Sequence, residues 1–323
     1  PWTATARIAS GEGTWLSAGV MLAWTAAAYL FGRWQFQRGL SFDAGAAASQ
    51  GSPSGRKASR LEWFYILPNA FLRDPLANLI EKELRFLTRA PRFRLVFLMG
   101  FSFGLLIWAP LAFGRMGTHH SLVTGNYLTV VSVYALLLLS DALFWNCFGF
   151  DRSASQVYFL APIKMSTVLL GKNLAALVFV FLEIGAIALI CALLRLPISG
   201  FQIPEAVVVT FVVTLFLLSI GNLSSTYNPR SVNPVKSFRT AASGRTQAVL
   251  MLSFPLALAP VALAYLARYA FDTEWAFFGV LLVGGIIGGI VYSFSMDTAV
   301  KAAEKRKEEM IAALSRGAGP IES

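Results

Sequence analysis

Seven stretches of about 20 predominantly apolar residues dominate this sequence, and each is long enough to cross the hydrocarbon core of a bilayer as a helix. Charged residues make up only 14% of the chain and apolar residues 56%, whereas a soluble domain is usually about 25% charged. This composition excludes a soluble enzyme, a disordered chain and a disulfide scaffold as descriptions of the whole. The pattern predicts an all-α polytopic membrane protein. Its seven spans are expected at roughly 15–36, 95–113, 127–148, 174–194, 205–223, 248–267 and 275–296.

Basic residues are distributed unequally between the two sides of these spans. Of the 27 Lys and Arg residues, only Arg7, Arg115, Arg195 and Arg268 fall on one side. Because cytoplasmic loops carry the excess of Lys and Arg, the other side is predicted to be cytoplasmic. The N-terminus of this chain is then outside and its C-terminus inside. These loops account for the net charge of +10, so we expect no nucleic-acid partner.

The spans and the segments between them predict five parts. Residues 37–74 begin with an Ala-, Gly- and Ser-rich run, which is typical of a flexible linker. The parts are a first span at 1–36, a cytoplasmic linker at 37–74, an interfacial helix at 75–94, a six-span unit at 95–296 and a cytoplasmic tail at 297–323.

The first and last predicted spans share an aromatic pattern. Trp15 and Trp275 stand at their starts, and each span carries a Tyr and a Phe near its end. We therefore expect the first span to close a preceding unit of the same kind, and the chain to be the C-terminal half of a longer one.

A short amphipathic helix is predicted immediately before the six spans. Asp74 offers an N-cap, Pro75 suits the first helical position, and Pro91 ends the pattern. This arrangement is typical of a helix lying in the membrane interface, and a solvated helix of an intracellular domain is the alternative. Its apolar face comprises Leu76, Leu79, Ile80, Leu84 and Leu87, and its polar residues include Lys82, Glu83, Arg85 and Arg89.

Two carboxylates lie inside predicted spans, where a charge is costly. Glu183 falls near the middle of the fourth span, and Asp141 falls nearer the cytoplasmic end of the third. Glu183 is predicted either to contact substrate along a pathway or, as a protonated acid, to form a hydrogen bond between helices. Asp141, with Asn146, is expected in an interhelical hydrogen-bond cluster.

The last span carries two pairs of glycines four residues apart, Gly284-Gly285 and Gly288-Gly289. Helices approach one another closely where small residues recur at this spacing. The sequence therefore predicts tight packing of this helix against a neighbour.

No motif in the sequence predicts catalysis or metal binding. Gly171-Lys172 lacks the upstream glycine and the following Ser or Thr of a nucleotide-binding loop. His119 and His120 are adjacent without further ligands nearby, and Cys147 has no ligand spacing. We expect neither a metal site nor an enzyme within this chain.

The segment from Asn146 to Asn173 carries the most informative motifs. It contains Phe148-Gly149-Phe150-Asp151-Arg152, then Phe159-Leu160-Ala161-Pro162-Ile163, then Gly171-Lys172-Asn173. This run resembles the first intracellular loop of type-2 ATP-binding-cassette (ABC) exporter permeases. The helix with Lys82-Glu83-Leu84 and Arg89 is similar to the elbow helix of that family, and the resemblance covers about residues 75–300.

The resemblance implies a membrane-spanning permease subunit in a bacterial cytoplasmic membrane. Two six-span units, fused or separate, would enclose the transport route. A separate cytoplasmic ATPase would bind ATP and Mg²⁺, so this chain itself would hold no cofactor. The loop would form a short coupling helix that docks on the ATPase.

The residues of the loop fit a docking surface independently of the resemblance. Val157, Phe159 and Leu160 form an apolar group, while Asp151, Arg152 and Lys164 supply a polar rim, as in many protein interfaces. A short helix is expected before Pro162, and Tyr158 with Phe159 is expected to anchor the partner. The alternative is that these apolar residues enter the membrane interface or pack under the spans.

Two other functions remain open from the sequence. An ion-gradient-driven transporter would use Glu183 as its protonatable group. A membrane scaffold would transport nothing.

Overall fold

The computed structural model describes residues 2–11, 14–48, 62–113, 126–194, 196, 200–232 and 244–315, with side chains described except at 2, 14, 35–48, 108–113, 141 and 244–250. All regular secondary structure in these ranges is helical, which confirms the predicted all-α class. The chain forms two compact units, residues 1–60 and 61–323.

The first unit contains a short helix and a long apolar one, α1 (Trp2–Ala9) and α2 (Thr14–Ala48). Residues Trp15–Trp34 of α2 are long and apolar enough to cross a membrane. Large apolar side chains on this segment, among them Trp15, Tyr29 and Leu30, are exposed. Such a surface suits contact with lipid.

The predicted linker at 37–74 is partly helical. Helix α2 extends into it as far as Ala48, through a run rich in alanine, the residue with the highest helix propensity. Its later part forms α3 (Glu62–Phe71), which packs against the next helix. Residues 49–61, between the two, lie outside the described residues.

The predicted amphipathic helix is present as α4 (Leu76–Arg89), and Ile80, Leu84 and Leu87 are buried along one face. The start of the helix differs from the expectation, because Pro75 occupies the N-cap position and no side chain caps the helix. Its end is as predicted: Ala90 is extended, since a residue before proline disfavours the helical conformation. Helix α5 (Pro91–Phe113) then continues at 79° to α4.

The remaining helices of the second unit are α6 (Tyr127–Leu143), α7 (Gln156–Leu160), α8 (Met165–Leu193), α9 (Gln202–Tyr227), α10 (Gly244–Phe271), α11 (Glu274–Lys305) and α12 (Lys307–Ser315). The long helices form a bundle, and the short helix α7 lies in the loop between α6 and α8. Helix α9 packs against α6, α8, α10 and α11, and α5 packs mainly against α6.

The glycine pairs of α11 mark a close helix crossing, as predicted. A Cβ atom at Gly284 would lie 2.9 Å from Cβ of Pro260 in α10, and one at Gly288 would lie 3.1 Å from the ring of Phe216 in α9. A larger residue at Gly284 would therefore force a shift of α11 or α10, and one at Gly288 would press on the Phe216 ring.

Within the described residues, five helices are long and apolar enough to cross a membrane, or six if the bent pair of α4 and α5 counts as one span. They correspond to six of the seven predicted stretches. The exception is 127–148, because the apolar helical stretch described there, Tyr127–Ser140, is too short to count as a span, and α6 ends at Leu143, where the chain enters a series of turns. Seven complete spans therefore stay a prediction.

The described part of the predicted tail, residues 297–315, continues the bundle. Helix α11 has 32 residues, which gives a length of about 48 Å and exceeds the roughly 30 Å of a hydrocarbon core. Ala299 and Ala303 at its end share an apolar cluster with Met310 and Leu314 of α12.

Candidate functional site

The loop between α6 and α8 contains the predicted short helix. Turns lead from Phe144 to Asp151, and a 3-10 turn, Arg152–Ser155, precedes α7. Arg152 has a φ of 53°, a left-handed conformation that is uncommon outside glycine and often occurs at functional sites. Helix α7 ends at Leu160, two residues before Pro162. Ala161, between them, is extended, as expected for a residue before proline.

Helix α7 directs two apolar side chains outward. Val157 is 60% exposed and Leu160 is 82% exposed. Residues three apart share one face of a helix, so the two form a single apolar surface, which we call the outward face of α7. Pro162 and Lys164 beside it are also exposed, and Phe159 is partly buried.

Tyr158 points the opposite way, into a cluster of charged side chains. This ion cluster consists of Lys82 and Glu83 from α4, Asp151 and Tyr158 from the loop, and Lys172 from α8. The ammonium nitrogen of Lys172 lies 2.7 Å from Glu83 Oε1 and 2.5 Å from Asp151 Oδ2. The Tyr158 hydroxyl lies 2.5 Å from Lys82 Nζ and donates to Asp151 Oδ1 at 3.2 Å. Tyr158 therefore fixes the loop to α4 and is not part of the outward face.

The charges of the ion cluster balance, with two ammonium groups against two carboxylates. Burial by itself would raise the pKa of Asp151, but Lys172 and Lys82 outweigh it, so the pKa lies below the ordinary value. Burial is the main reason that the pKa of Tyr158 is raised. Asp151 is therefore a carboxylate and Tyr158 a neutral phenol at neutral pH.

Apolar packing beneath the loop adds a second attachment. Phe148 and Tyr158 share a buried cluster with Val168 and Leu169 of α8 and with the end of α11. Helix α12 packs against the 3-10 turn. The loop is thus held between α4, α8 and the C-terminal helices.

A third attachment joins the loop to the segment after α9. Asn146 Nδ2 donates to the carbonyl of Arg230 at 2.6 Å, and the backbone N–H of Val232 donates to the carbonyl of Gly149 at 2.8 Å. Sequence reasoning placed Asn146 near Asp141 instead. The side chain of Asp141 lies outside the described residues, so its predicted cluster stays a prediction.

The other predicted residues of α4 lie away from the ion cluster. Arg85 pairs with Glu62 at 2.5 Å and with Glu81 at 2.8 Å, and stacks on the Tyr65 ring. The contacts with Glu62 and Tyr65 attach α3 to α4. Arg89 is exposed near the end of the helix.

Glu183 is buried in the bundle, with 2% of its surface exposed. A Cβ atom at Gly100 in α5 would lie 2.0 Å from Glu183 Oε1, so the carboxyl group occupies the space that a larger residue at position 100 would need. Neither of its oxygens makes a hydrogen bond of normal geometry with any described residue.

A second polar cluster, which sequence reasoning missed, lies at the opposite end of the bundle. Glu205, almost fully buried, accepts hydrogen bonds from Tyr265 at 2.6 Å, Arg268 at 3.1 Å and Thr129 at 3.2 Å. Arg268 also pairs with Glu274. The sequence feature that could have indicated this cluster is Arg268, one of four basic residues on its predicted side of the membrane.

Among the described residues, no group of three His, Cys, Asp or Glu side chains is placed to hold a metal ion. Comparison of the chain with protein-family models, with curated proteins and with solved structures finds no match. The candidate site therefore rests on its geometry alone.

Proposed function

We propose that this chain is the membrane-spanning permease subunit of an ATP-driven ABC exporter. It would move a hydrophobic or amphipathic substrate by alternating access, powered by a separate ATPase that docks on the loop between α6 and α8. In this proposal, α4 is the elbow helix and the loop faces the cytoplasm. The second permease unit is fused to this chain or separate from it.

The outward face of α7 is the observation that carries the proposal. Val157 and Leu160 are exposed, whereas Phe148 and Tyr158 of the same loop are buried. A small apolar surface with the exposed charged residue Lys164 beside it matches the composition of a protein docking surface.

The attachments of the loop support a mechanical role. A docking element transmits force only if it moves together with the helices behind it. The ion cluster joins α7 to α4 and α8, and the backbone N–H of Cys147, which donates to Ser225 Oγ at 3.0 Å, joins the loop to the end of α9. A push on α7 would therefore reach three helices of the bundle.

Co-purification with a co-expressed ABC ATPase tests the proposal. Val157→Ser with Leu160→Ser should leave the fold intact, since both side chains are exposed. Each side chain contributes roughly 1.5–3 kcal/mol when fully buried. We expect the double variant to weaken retention of the ATPase by about 100-fold and to lower substrate-stimulated ATP hydrolysis.

Phe71→Ser is the matched control, because Phe71 is also an exposed apolar residue on the predicted cytoplasmic side. It should retain the ATPase fully. Unchanged retention in the α7 variant, or equal losses in both variants, would contradict docking at α7.

Glu183 favours a second candidate function, an ion-gradient-driven transporter. A buried carboxyl group that makes no hydrogen bond of normal geometry with described residues is a candidate protonation site, as intramembrane carboxylates are in proton-coupled transporters. Glu183→Gln keeps the shape of a protonated acid. Transport by the variant at the wild-type rate across pH would exclude proton coupling, whereas loss of transport with an intact fold would favour it over ATP-driven export.

A further inference from the structure

A long cleft separates α6 from α10 in the half of the bundle opposite the loop. Both helices pack against α9, and the space between them has a volume of about 720 Å³. Asn126 and Leu137 mark its two ends on the α6 side, and Tyr269 and Leu258 mark them on the α10 side. This size is within the usual range of ligand pockets.

Contacts beyond one end of the cleft and within the other tie its two sides to the bundle. At one end the rings of Trp145 and Phe254 meet edge to face, with centroids 5.8 Å apart. At the other end Thr129 and Tyr265 both donate to Glu205. Both sides of the cleft are therefore attached to the bundle, and the cleft is a feature of the fold.

The chemistry of the lining selects an apolar occupant. The lining is mostly aliphatic and includes Val130, Val133, Leu137, Leu258 and Val261. Water needs two to four polar partners to occupy a buried site, and this lining offers few. Hydrocarbon is the remaining solvent available to a cleft between membrane helices.

The length of the cleft matches one leaflet of a bilayer. Eleven residue steps from Asn126 to Leu137 give about 16 Å along the helix, and half of a hydrocarbon core is about 15 Å. The polar end of the cleft contains Asn126, Tyr269 and the Glu205 cluster. Because tyrosine and polar groups favour the headgroup level of a bilayer, we expect this end to lie there.

We propose that this cleft binds one acyl chain of a membrane phospholipid, with the headgroup at the Glu205 end. The site requires α6 and α10 to lie in the bilayer and does not depend on ATP-driven transport. Under the predicted topology the lipid comes from the outer leaflet.

Photolabelling of the full chain tests this site. The protein is placed in phosphatidylcholine vesicles that contain a phosphatidylcholine with a photoactivatable diazirine on its acyl chain, and adducts are mapped by mass spectrometry. We expect adducts to concentrate on 130–137 and 258–266. Ala262→Trp, which fills the cleft from an exposed position in its wall, should abolish this labelling.

Ala259→Trp is the matched control, because Ala259 is exposed on α10 outside the cleft. It should label as the wild type does. Labelling spread evenly over exposed residues such as Leu252, Leu256 and Leu263 would overturn the proposal. Absence of cleft labelling in the wild type would also overturn it, and would indicate a protein segment or second copy in the cleft.

Discussion

Lys172 and Asp151 are 21 residues apart in the chain, and the Lys172 ammonium nitrogen lies 2.5 Å from Asp151 Oδ2. The side chains are only 4% and 5% exposed. Their contact joins α8 to the start of the loop that carries α7. Glu83 and Lys82 complete the charge balance from α4.

Lys172→Met should destabilise the chain by about 3–5 kcal/mol, because it leaves two buried carboxylates facing one ammonium group. Adding Asp151→Asn restores the balance, so the double variant should lose less than the sum of the single losses. Titration with dodecyl sulfate measures the free energy of unfolding of the single and double variants. Lys164→Met, at an exposed position, is the control and should change stability little. Additive losses would show that the two side chains act independently.

Acid should remove the contribution of Asp151. The folded-state pKa lies below the ordinary value of 3.8, so folding favours the carboxylate. Its stabilisation is fully present above pH 3.8 and is lost as the pH falls further, through the folded-state pKa. The difference in unfolding free energy between wild type and Asp151→Asn should stay constant from neutral pH to about pH 5 and shrink below about pH 4. A difference independent of pH down to the acid limit would contradict this assignment.

Gly100→Ala should destabilise the contact between α5 and α8 by about 1 kcal/mol, the low end of over-packing costs, since the new methyl group displaces only the mobile end of the Glu183 side chain. In a Glu183→Ala background the space is vacant, and the same change should cost less. Thermal unfolding of the four proteins in one detergent measures the coupling. Gly185→Ala, with no atom near the added Cβ, is the control. An equal cost of Gly100→Ala in both backgrounds would show that the carboxyl group is not the obstacle.

Cysteine labelling should establish the orientation. In a chain without Cys147 and Cys191, Gly200→Cys should react from outside with a membrane-impermeant thiol reagent, and Ser153→Cys should react only after the membrane is opened. Both positions are exposed, and Gly200 has room for a side chain. The reversed pattern would place α7 outside and remove the basis for ATPase docking.

Features with a local cause could be predicted from the sequence. Hydropathy located the long helices, Pro91 set the end of α4, and the glycine spacing of α11 identified a close crossing. The start of α4 was placed one residue early, because capping depends on the geometry of the preceding turn. Helix α3 was missed because Pro68 interrupts its pattern.

The arrangement of the site depends on contacts between distant residues. A five-residue helix is too short for periodicity to define its buried face, so Tyr158 could not be separated from Val157 and Leu160. The partners of Glu83 and Asn146 lie 89 and 84 residues away. The sequence places such residues in the correct loops, and only the packing of helices decides which of them meet.

The continuity of α11 has a geometric consequence. Glu274 at its first turn pairs with Arg268, and Ala303 near its last turn packs in the cluster that contains Phe148 and Tyr158. A rigid rod of about 48 Å displaces its far end by about 4 Å when it tilts by about 5° around the other. One continuous helix therefore links the surface beside the cleft between α6 and α10 to the cluster beneath α7.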